Sequence, residues 1–314
     1  MKAVADRYGK TEVVVMAFEA GCNILLFPES VSDAISAIEK KVIAGKISQK
    51  EIDDRCKKVL YAKYKSILHP TKLRTYTKPE IQLAKKQLYE KALTVIKNDN
   101  SLLPIKRFNQ KIAHVSIGSH TEPLAVSMDL VYPVDHFNYF DGEEALKQFK
   151  SKMSGYDLII TTLHAKSVST KNDHGMPKKW REWIQALPKD KPNVLALFGN
   201  PHAFAEGVDL DHIQSIVIGY ENHELMLNRA GQLLMGSFES NGKLPVTVNS
   251  MFKRGQGIQV KSGGRLKESQ PEELGIDPMK LSKIDSIVKK SIDAGAFPGC
   301  QIVVAVEGKV IYRK

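Results

Sequence analysis

Few residues of this chain combine the types and the closeness that chemistry requires. Asp173 and His174 are adjacent in His164 to Trp180 (HAKSVSTKNDHGMPKKW), a stretch without helical or strand periodicity. A carboxylate beside an imidazole can exchange protons with a substrate if both side chains face one point and the imidazole is tuned to the working pH. Neighbours on a loop seldom face one point, so solvation is the plainer reading. Glu29 follows Phe27-Pro28 at the start of a helix. It could line a site, but the helix dipole alone favours a negative charge there. Cys22, Cys56 and Cys300 are odd in number and widely spaced, which gives neither a disulfide framework nor a zinc pattern. Cys22 and Cys56 stand beside apolar neighbours and read as small core residues. Gly255-Gln256-Gly257 and Gly263-Gly264 lie in a polar stretch, not in a strand-to-helix turn, so no phosphate cradle is implied. The segment IGSHTEP from Ile117 has one glycine and no dinucleotide fingerprint. Nothing in these patterns calls for a cofactor or a metal.

The elements that must position such residues follow from length and periodicity. A chain of 314 residues, 42% hydrophobic and 26% charged, has the composition of a globular protein of about two domains. Its net charge of +11 raises nucleic acid as a partner. The lysines are scattered, as in Lys85, Lys86, Lys91 and Lys97, without interleaved aromatics, which describes a lysine-rich surface and no nucleic acid. No window of about 18 apolar residues exists, so no membrane span is expected. The opening MKAVADRYGK lacks the apolar core of a signal peptide.

The first 70 residues read as helix, strand, helix, helix. Glu12 to Ala20 is helical with Gly21 as its stop, and Asn23 to Phe27 (NILLF) is a short apolar run expected of a strand buried on both faces. Ser30 caps a helix with Val31, Ala34, Ile35, Ile38 and Val42 on one face. Gly45 ends it, and Ser48 with Glu51 forms a capping box for a helix burying Ile52, Val59, Leu60 and Ile67. One strand among helices cannot cover itself, which predicts further elements before Met1.

Residues 69–80 read as a linker. Helices at 82–97, 143–153, 178–187 and 224–235 then alternate with strands at 111–117, 157–162, 193–198 and 215–218. This alternation predicts a mostly parallel sheet with helices on its faces. Residues 251–272 read as a second linker. Asp277-Pro278 opens a helix striped by Leu281, Ile284, Ile287, Val288 and Ile292. A hairpin follows, 301–306 and 309–313 around Glu307-Gly308.

Three stretches carry a family resemblance. AGCNILLFP (Ala20 to Pro28) with GKISQKEIDDRCKKVLYAKY (Gly45 to Tyr64) is similar to the last strand and closing helices of the barrel in family 3 glycoside hydrolases, especially β-N-acetylglucosaminidases. Those usually carry Asp where Asn23 stands. EKALTVIKNDNSLLPIK (Glu90 to Lys106), FGNPHAF (Phe198 to Phe204) and GYENHELMLNRAGQLLMGSFESNGKLPVTV (Gly219 to Val248) resemble the second domain of that family. AFPGCQIVVAVEGKVIYRK, with the helix before it, resembles the opening helix and hairpin of β-lactamase-like serine hydrolases.

The resemblance implies an α/β fold in pieces. Residues 1–68 would be the C-terminal remnant of a TIM-type barrel, 81–250 a mostly parallel-sheet α/β sandwich domain, and 273–314 the start of a β-lactamase-like α+β domain. It implies a carbohydrate substrate containing N-acetylglucosamine, and a periplasmic or cell-surface setting. The family's nucleophilic Asp precedes a short segment that Met1 to Val4 resembles, which puts it before Met1 and makes Met1 a substrate-proximal candidate beside Glu29, Asp173 and His174. The β-glucosidase branch takes its proton donor from a Glu in the loop matching 164–180, and this loop has none. The N-acetylglucosaminidase branch uses a His–Asp pair of a barrel loop, also expected before Met1. The Ser-x-x-Lys of the second enzyme would follow Lys314. No catalytic residue of either enzyme is thus expected within the chain.

Overall fold

The structure, a computed structural model, describes residues 2–68, 75–107, 109–119, 122–139, 148–149, 151–165, 170–205 and 207–314. The chain divides into two compact units, Met1–Thr75 and Tyr76–Lys314.

The described part of the first unit is four helices: α1 (Lys2–Tyr8), α2 (Glu12–Glu19), α3 (Val31–Ile43) and α4 (Gln49–Leu68). Ser30 caps α3 by accepting from the Asp33 backbone N–H, as its residue type predicts. Ser48 accepts from the N–H of Glu51, but the Glu51 carboxylate turns to Arg55 rather than back to close a capping box. Arg55 lies 3.8 Å over the Phe18 ring and donates to the Cys22 carbonyl at 2.9 Å, tying α4 to the end of α2. The buried core of this unit is small: Val14, Val15, Phe18, Ala34 and Ile47.

Three expectations fail here. Asn23–Phe27 forms no strand, because no strand among the described residues 2–68 offers it a hydrogen-bonding partner. Its apolar side chains stand in the open, with Ile24 67%, Leu26 83% and Phe27 90% exposed. Val31 and Ile35 of α3 and Leu60 and Ile67 of α4 are exposed as well, so the predicted stripes are only partly covered. Cys22 and Cys56 are exposed, not core residues.

The second unit is mixed α/β with a mostly parallel central sheet. Its helices are α5 (Lys78–Ala92), α6 (Glu122–Asp129), α7 (Lys178–Gln185), α8 (Glu224–Leu234) and α9 (Pro278–Asp293). Its main strands are β1 (Thr94–Asn98), β2 (Ile112–Ile117), β3 (Asp135–Tyr139), β4 (Leu158–His164), β5 (Asn193–Phe198) and β6 (Ser215–Ile218). They lie in the order β1-β6-β5-β4-β2-β3, all parallel except β1, which runs antiparallel to β6. A small sheet, β7 (Lys267–Glu268), β9 (Lys309–Arg313) and β8 (Val303–Val306), follows in that order.

The helix expected at 82–97 ends at Ala92. Thr94, Val95 and Ile96 are β-branched, stiff at χ1 and able to pair with β6, so the strand wins over helical continuation. The α5 start carries a capping box, Thr77 Oγ1 accepting from Glu80 N and Glu80 from Thr77 N at 2.8 Å. Neither α6 nor β3 is signalled in the sequence. β3 sits at the sheet edge, where alternation is weak. Of the helix expected at 143–153, residues 148–149 and 151–153 are helical and the rest lie outside the described residues. So do residues 69–74 of the linker expected at 69–80, while 78–80 form the first turn of α5. Residues 251–272, expected as a linker, pack instead: Phe252 and Val260 are buried, and Val260 bridges to Ser240.

Alternate residues of β2, β4, β5 and β6 feed two cores. Ala113, Val115, Ile159, Leu163, Leu195 and Ile216 pack toward Trp183 and Ile184 of α7. Ile112, Leu158, Ile160, Val194, Ala196 and Val217 pack toward α6 and α8, through Leu124, Met128, Ala230 and Leu233. The α6–α8 approach is tight at Gly231, where an added Cβ would lie 2.0 Å from Ser127 Oγ.

Ion pairs bind the small sheet to this body. Arg229 of α8, 2% exposed, pairs with Glu90 of α5 at 3.0 Å. Lys267 bridges Glu90 at 2.8 Å and Glu273 at 3.2 Å, and Lys309 of β9 reaches Glu273 at 2.9 Å. Burial alone would push the Glu273 carboxyl up. Hydrogen bonds from Ser269 and Lys309, with the charge of Lys267, more than reverse this and hold it at about 2. A carboxyl held below its usual 4.5 contributes stability that is whole above that pH and is lost as the pH falls toward about 2. Glu273→Gln is expected to flatten this acid limb of the stability curve, measured by urea unfolding against pH. Glu90→Gln leaves Arg229 and Lys267 without their shared carboxylate and is expected to cost about 3–5 kcal/mol. A loss under about 1 kcal/mol would place these charges with solvated surface pairs.

Candidate functional site

In an open parallel sheet, ligands bind beyond the carboxyl ends of the strands where the order reverses. Here that point lies between β2 and β4, since β3 adds to one side of β2 and β4, β5 and β6 to the other. The strands end at Ile117, His164, Phe198 and Ile218. Three of the four are followed at once by glycine, and each glycine is required by a close neighbour. An added Cβ would lie 2.4 Å from the Trp180 ring at Gly118, 2.6 Å from Ala165 Cβ at Gly199 and 2.5 Å from the Phe198 ring at Gly219.

The loop after β6 is fixed residue by residue. Tyr220 has φ 57° and its hydroxyl meets Thr94 Oγ1 at 2.8 Å. Glu221 accepts from the Tyr89 hydroxyl at 2.9 Å. Burial, then this bond to a carboxylate, push the Tyr89 phenol up to about 12. Asn222 Oδ1 lies 2.9 Å from His164 Nδ1. His223 caps α8, its Nδ1 accepting from Leu225 N. After β5, Asn200 caps a 3-10 turn at Pro201–Phe204 by accepting from His202 N at 3.0 Å.

The loop after β4 holds the adjacent pair. Asp173 and His174 lie in a 3-10 turn at Thr170–Gly175, with φ of 47° and 54°. Asp173 pairs with Arg181 at 3.7 Å. His174 Nδ1 lies 3.2 Å from Asn200 Nδ2, and its ring centroid is 5.6 Å from that of His202. The two side chains thus serve different neighbours. Residues 166–169 of this loop are outside the described residues, as is Met1. Glu29, in the first unit, forms an ion pair with Lys10.

What the sequence reading missed is a run of polar side chains inside the sheet. His136 Nε2 lies 3.1 Å from Asp129 Oδ2, and His136 Nδ1 lies 2.9 Å from His114 Nδ1. His114 Nε2 and His164 Nε2 each lie 3.0 Å from Thr162 Oγ1. His164 continues to Asn222, and its ring stacks on Phe198 with centroids 5.2 Å apart. His114 is 1% exposed, and burial, then His136 and His164, push its imidazole well below the ordinary value. The signal was present: His114 and Ser116, then Thr162 and His164, sit two apart within otherwise apolar strands. The three histidines form a chain of hydrogen bonds. Among the described residues no group of His, Cys, Asp or Glu is arranged to hold a metal ion. Three cavities of about 390–410 Å³ lie elsewhere in this unit; one is lined by Lys86, Asn228 and Arg313, another by Asn100, Leu158 and Pro192. No helix of the described residues is long and apolar enough to cross a membrane.

The fold is therefore mixed α/β with a rim of loops at the carboxyl ends of a parallel sheet. Residues 1–62 match the family model described as Glycosyl hydrolase family 3 N terminal domain. No curated protein matches the chain. Among solved structures it is similar to a glycoside hydrolase family 3 β-N-acetylglucosaminidase from Paenibacillus sp. str. FPU-7. That likeness has 19% identity and a TM-score of 0.58, over 79% of this chain and 50% of that one. A fungal multi-domain family 3 β-N-acetylglucosaminidase has 19% identity and a TM-score of 0.54, over 80% of this chain and 30% of that one. A β-glucosidase from Erythrobacter marinus has 15% identity and a TM-score of 0.54, over 78% and 41%. The chain thus spans half or less of the length of each. At these identities the likeness is one of fold, and the family match is confined to residues 1–62.

Gly199→Ala tests how tightly the rim is built. Its Cβ would meet Ala165 Cβ at 2.6 Å and the Ala165 carbonyl at 3.0 Å. Overpacking of this kind is expected to cost about 1–3 kcal/mol in urea unfolding, whereas Gly299→Ala, with nothing within 4 Å and, like Gly199, no positive φ, controls for the loss of glycine itself.

Proposed function

We propose that this chain belongs to a retaining β-N-acetylglucosaminidase of family 3, acting on β-linked N-acetylglucosaminides such as those released from cell walls. Residues 273–314 are proposed to open a β-lactamase-like serine hydrolase acting on an ester, amide or peptide bond. The observation that carries the first reading is the loop at 164–180, which holds no Glu in a chain whose first 62 residues match family 3.

A retaining glycosidase needs a carboxylate that attacks the anomeric carbon and an acid that protonates the leaving oxygen. Water then displaces the carboxylate from the covalent intermediate. By the family resemblance the carboxylate and the His–Asp acid–base pair lie before Met1. Glu29, Met1, Asp173 and His174 would then be substrate-proximal without carrying chemistry. Two of the similar structures are described as β-N-acetylglucosaminidases and one as a β-glucosidase, two of them with the same TM-score, so the sheet does not separate the branches. The loop chemistry is what favours the first.

The exposed apolar row Ile24, Leu26, Phe27, Val31 and Ile35 supports placing residues 1–68 at the end of a barrel. Large apolar side chains left exposed this close together along the chain suit a segment that packs against further protein.

The intact protein encoded around this chain is expected to hydrolyse an aryl β-N-acetylglucosaminide, releasing the β anomer first by NMR, while residues 1–314 alone release no chromophore. Comparable kcat/KM on an aryl β-glucoside would overturn the reading. Replacing Asp173 and His174 by alanine in the intact protein is expected to change kcat by less than about tenfold, short of the 10²–10⁴ of a lost general acid. A larger loss rescued by azide would make the pair the proton donor.

A further inference from the structure

The polar chain inside the sheet has a direction, and charge decides it. It runs Asp129, His136, His114, Thr162, His164, Asn222, with every step between 2.9 and 3.1 Å. It begins at the end of α6 beside the edge strand β3, crosses β2 and β4, and ends on the rim loop, where Asn222 is exposed.

The Thr162 hydroxyl has one hydrogen. It can donate to one of its two imidazole neighbours and must accept from the other. His114 and His164, when both are neutral, therefore hold opposite tautomers. Burial keeps His114 neutral, since its imidazole is pushed well below the ordinary value. At the other end, the Asp129 carboxylate can only accept, so His136 Nε2 must carry hydrogen.

We infer that the protonation state of His136 sets the direction of the whole chain, so that a proton gained at the sheet edge turns over the Asn222 amide on the rim. With His136 charged, its Nδ1–H donates to His114 Nδ1. His114 Nε2–H then donates to Thr162, Thr162 to His164 Nε2, and His164 Nδ1–H to Asn222 Oδ1. Asn222 Oδ1 lies 2.9 Å from His164 Nδ1, the geometry in which it accepts from an Nδ1–H. The amide N–H₂ of Asn222 is then left for a ligand. With His136 neutral, its Nδ1 is bare and His114 Nδ1–H must donate to it. Thr162 donates back to His114, His164 Nε2–H donates to Thr162, and His164 Nδ1 is bare. Asn222 turns its Nδ2–H toward that nitrogen and presents its carbonyl outward. Four hydrogens remain on the imidazoles and the hydroxyl where there were five, and the released proton goes to solvent.

The groups facing His136 are Asp129 from α6 and His114 from β2. Its strand neighbours Asp135 and Phe137 alternate to the other face, toward the Tyr156 hydroxyl at 2.8 Å and the Lys152 ammonium at 5.8 Å from the ring. The device is built from hydrogen-bond geometry and from the burial that keeps His114 neutral, and does not rest on the glycosidase reading.

Nitrogen-15 NMR of imidazole-labelled protein across about pH 4 to 9, the range in which histidines titrate, tests it without any variant. His114 and His164 are expected to show opposite tautomers at every pH and to exchange them together, with the midpoint at which His136 titrates. In His136→Gln the exchange is expected to vanish. The same tautomer on both residues would overturn the inference. So would tautomers that hold still while His136 titrates, or a His136 that keeps one state throughout.

Discussion

A parallel sheet with helices on both faces offers no water to the side chains inside it. Any polar group placed there must find its partner within the sheet or carry the cost of lost hydration. This constraint organises the 76–314 unit. The two apolar cores fill the spaces above and below β2, β4, β5 and β6. Of the polar residues left among them, His114, Thr162 and His164 connect side to side, while the buried Thr161 hydroxyl has no hydrogen-bond partner. His114, Thr162 and His164 share one face, in register with His136 on one side and Phe198 on the other. A hydrogen-bonded row across the strands is the arrangement that satisfies them.

The same constraint explains what was legible in the sequence. Strands such as Asn193–Phe198 are continuous apolar runs between turn residues, and their bounds were readable because burial on both faces leaves no polar alternation to interrupt them. Caps at Ser30 and Asp277 act through the chain next to them, so they too can be read locally. Helix α5 shows the limit: its periodicity continues past Ala92, and only pairing with β6, over a hundred residues away, makes Thr94–Asn98 a strand. Asn23–Phe27 shows the reverse. It has the composition of a buried strand, yet composition supplies no partner, and the segment stays irregular.

Site residues divide along the same line. Asp173 and His174 drew notice because they are adjacent in sequence, and the fold sends them to Arg181 and to Asn200. His114, His136 and His164 drew none, because they are 22 and 28 residues apart, and the sheet places them in one file. Proximity along the chain was a poor guide to proximity in space, whereas polar residues inside apolar strands were a better one. The ion pairs around Glu90 and Glu273 make the same point: Arg229 and Lys267 meet one carboxylate from distant segments. Neither lysine nor arginine announces such a role in a chain with 46 of them.

These observations bear on how function is divided within the fold. Structures at 15–19% identity keep the sheet and so must keep the packing that builds it. The rim above the sheet is held by a few side chains of its own. Glycines at 118, 199 and 219 bring the strand ends close, and the anchors at Tyr220, Glu221 and His223 fix the β6 loop from below. Asn222 alone among these four is anchored by a group whose own tautomer can change. A rim held rigid at three points and adjustable at the fourth can alter what it offers a ligand without disturbing the sheet beneath it.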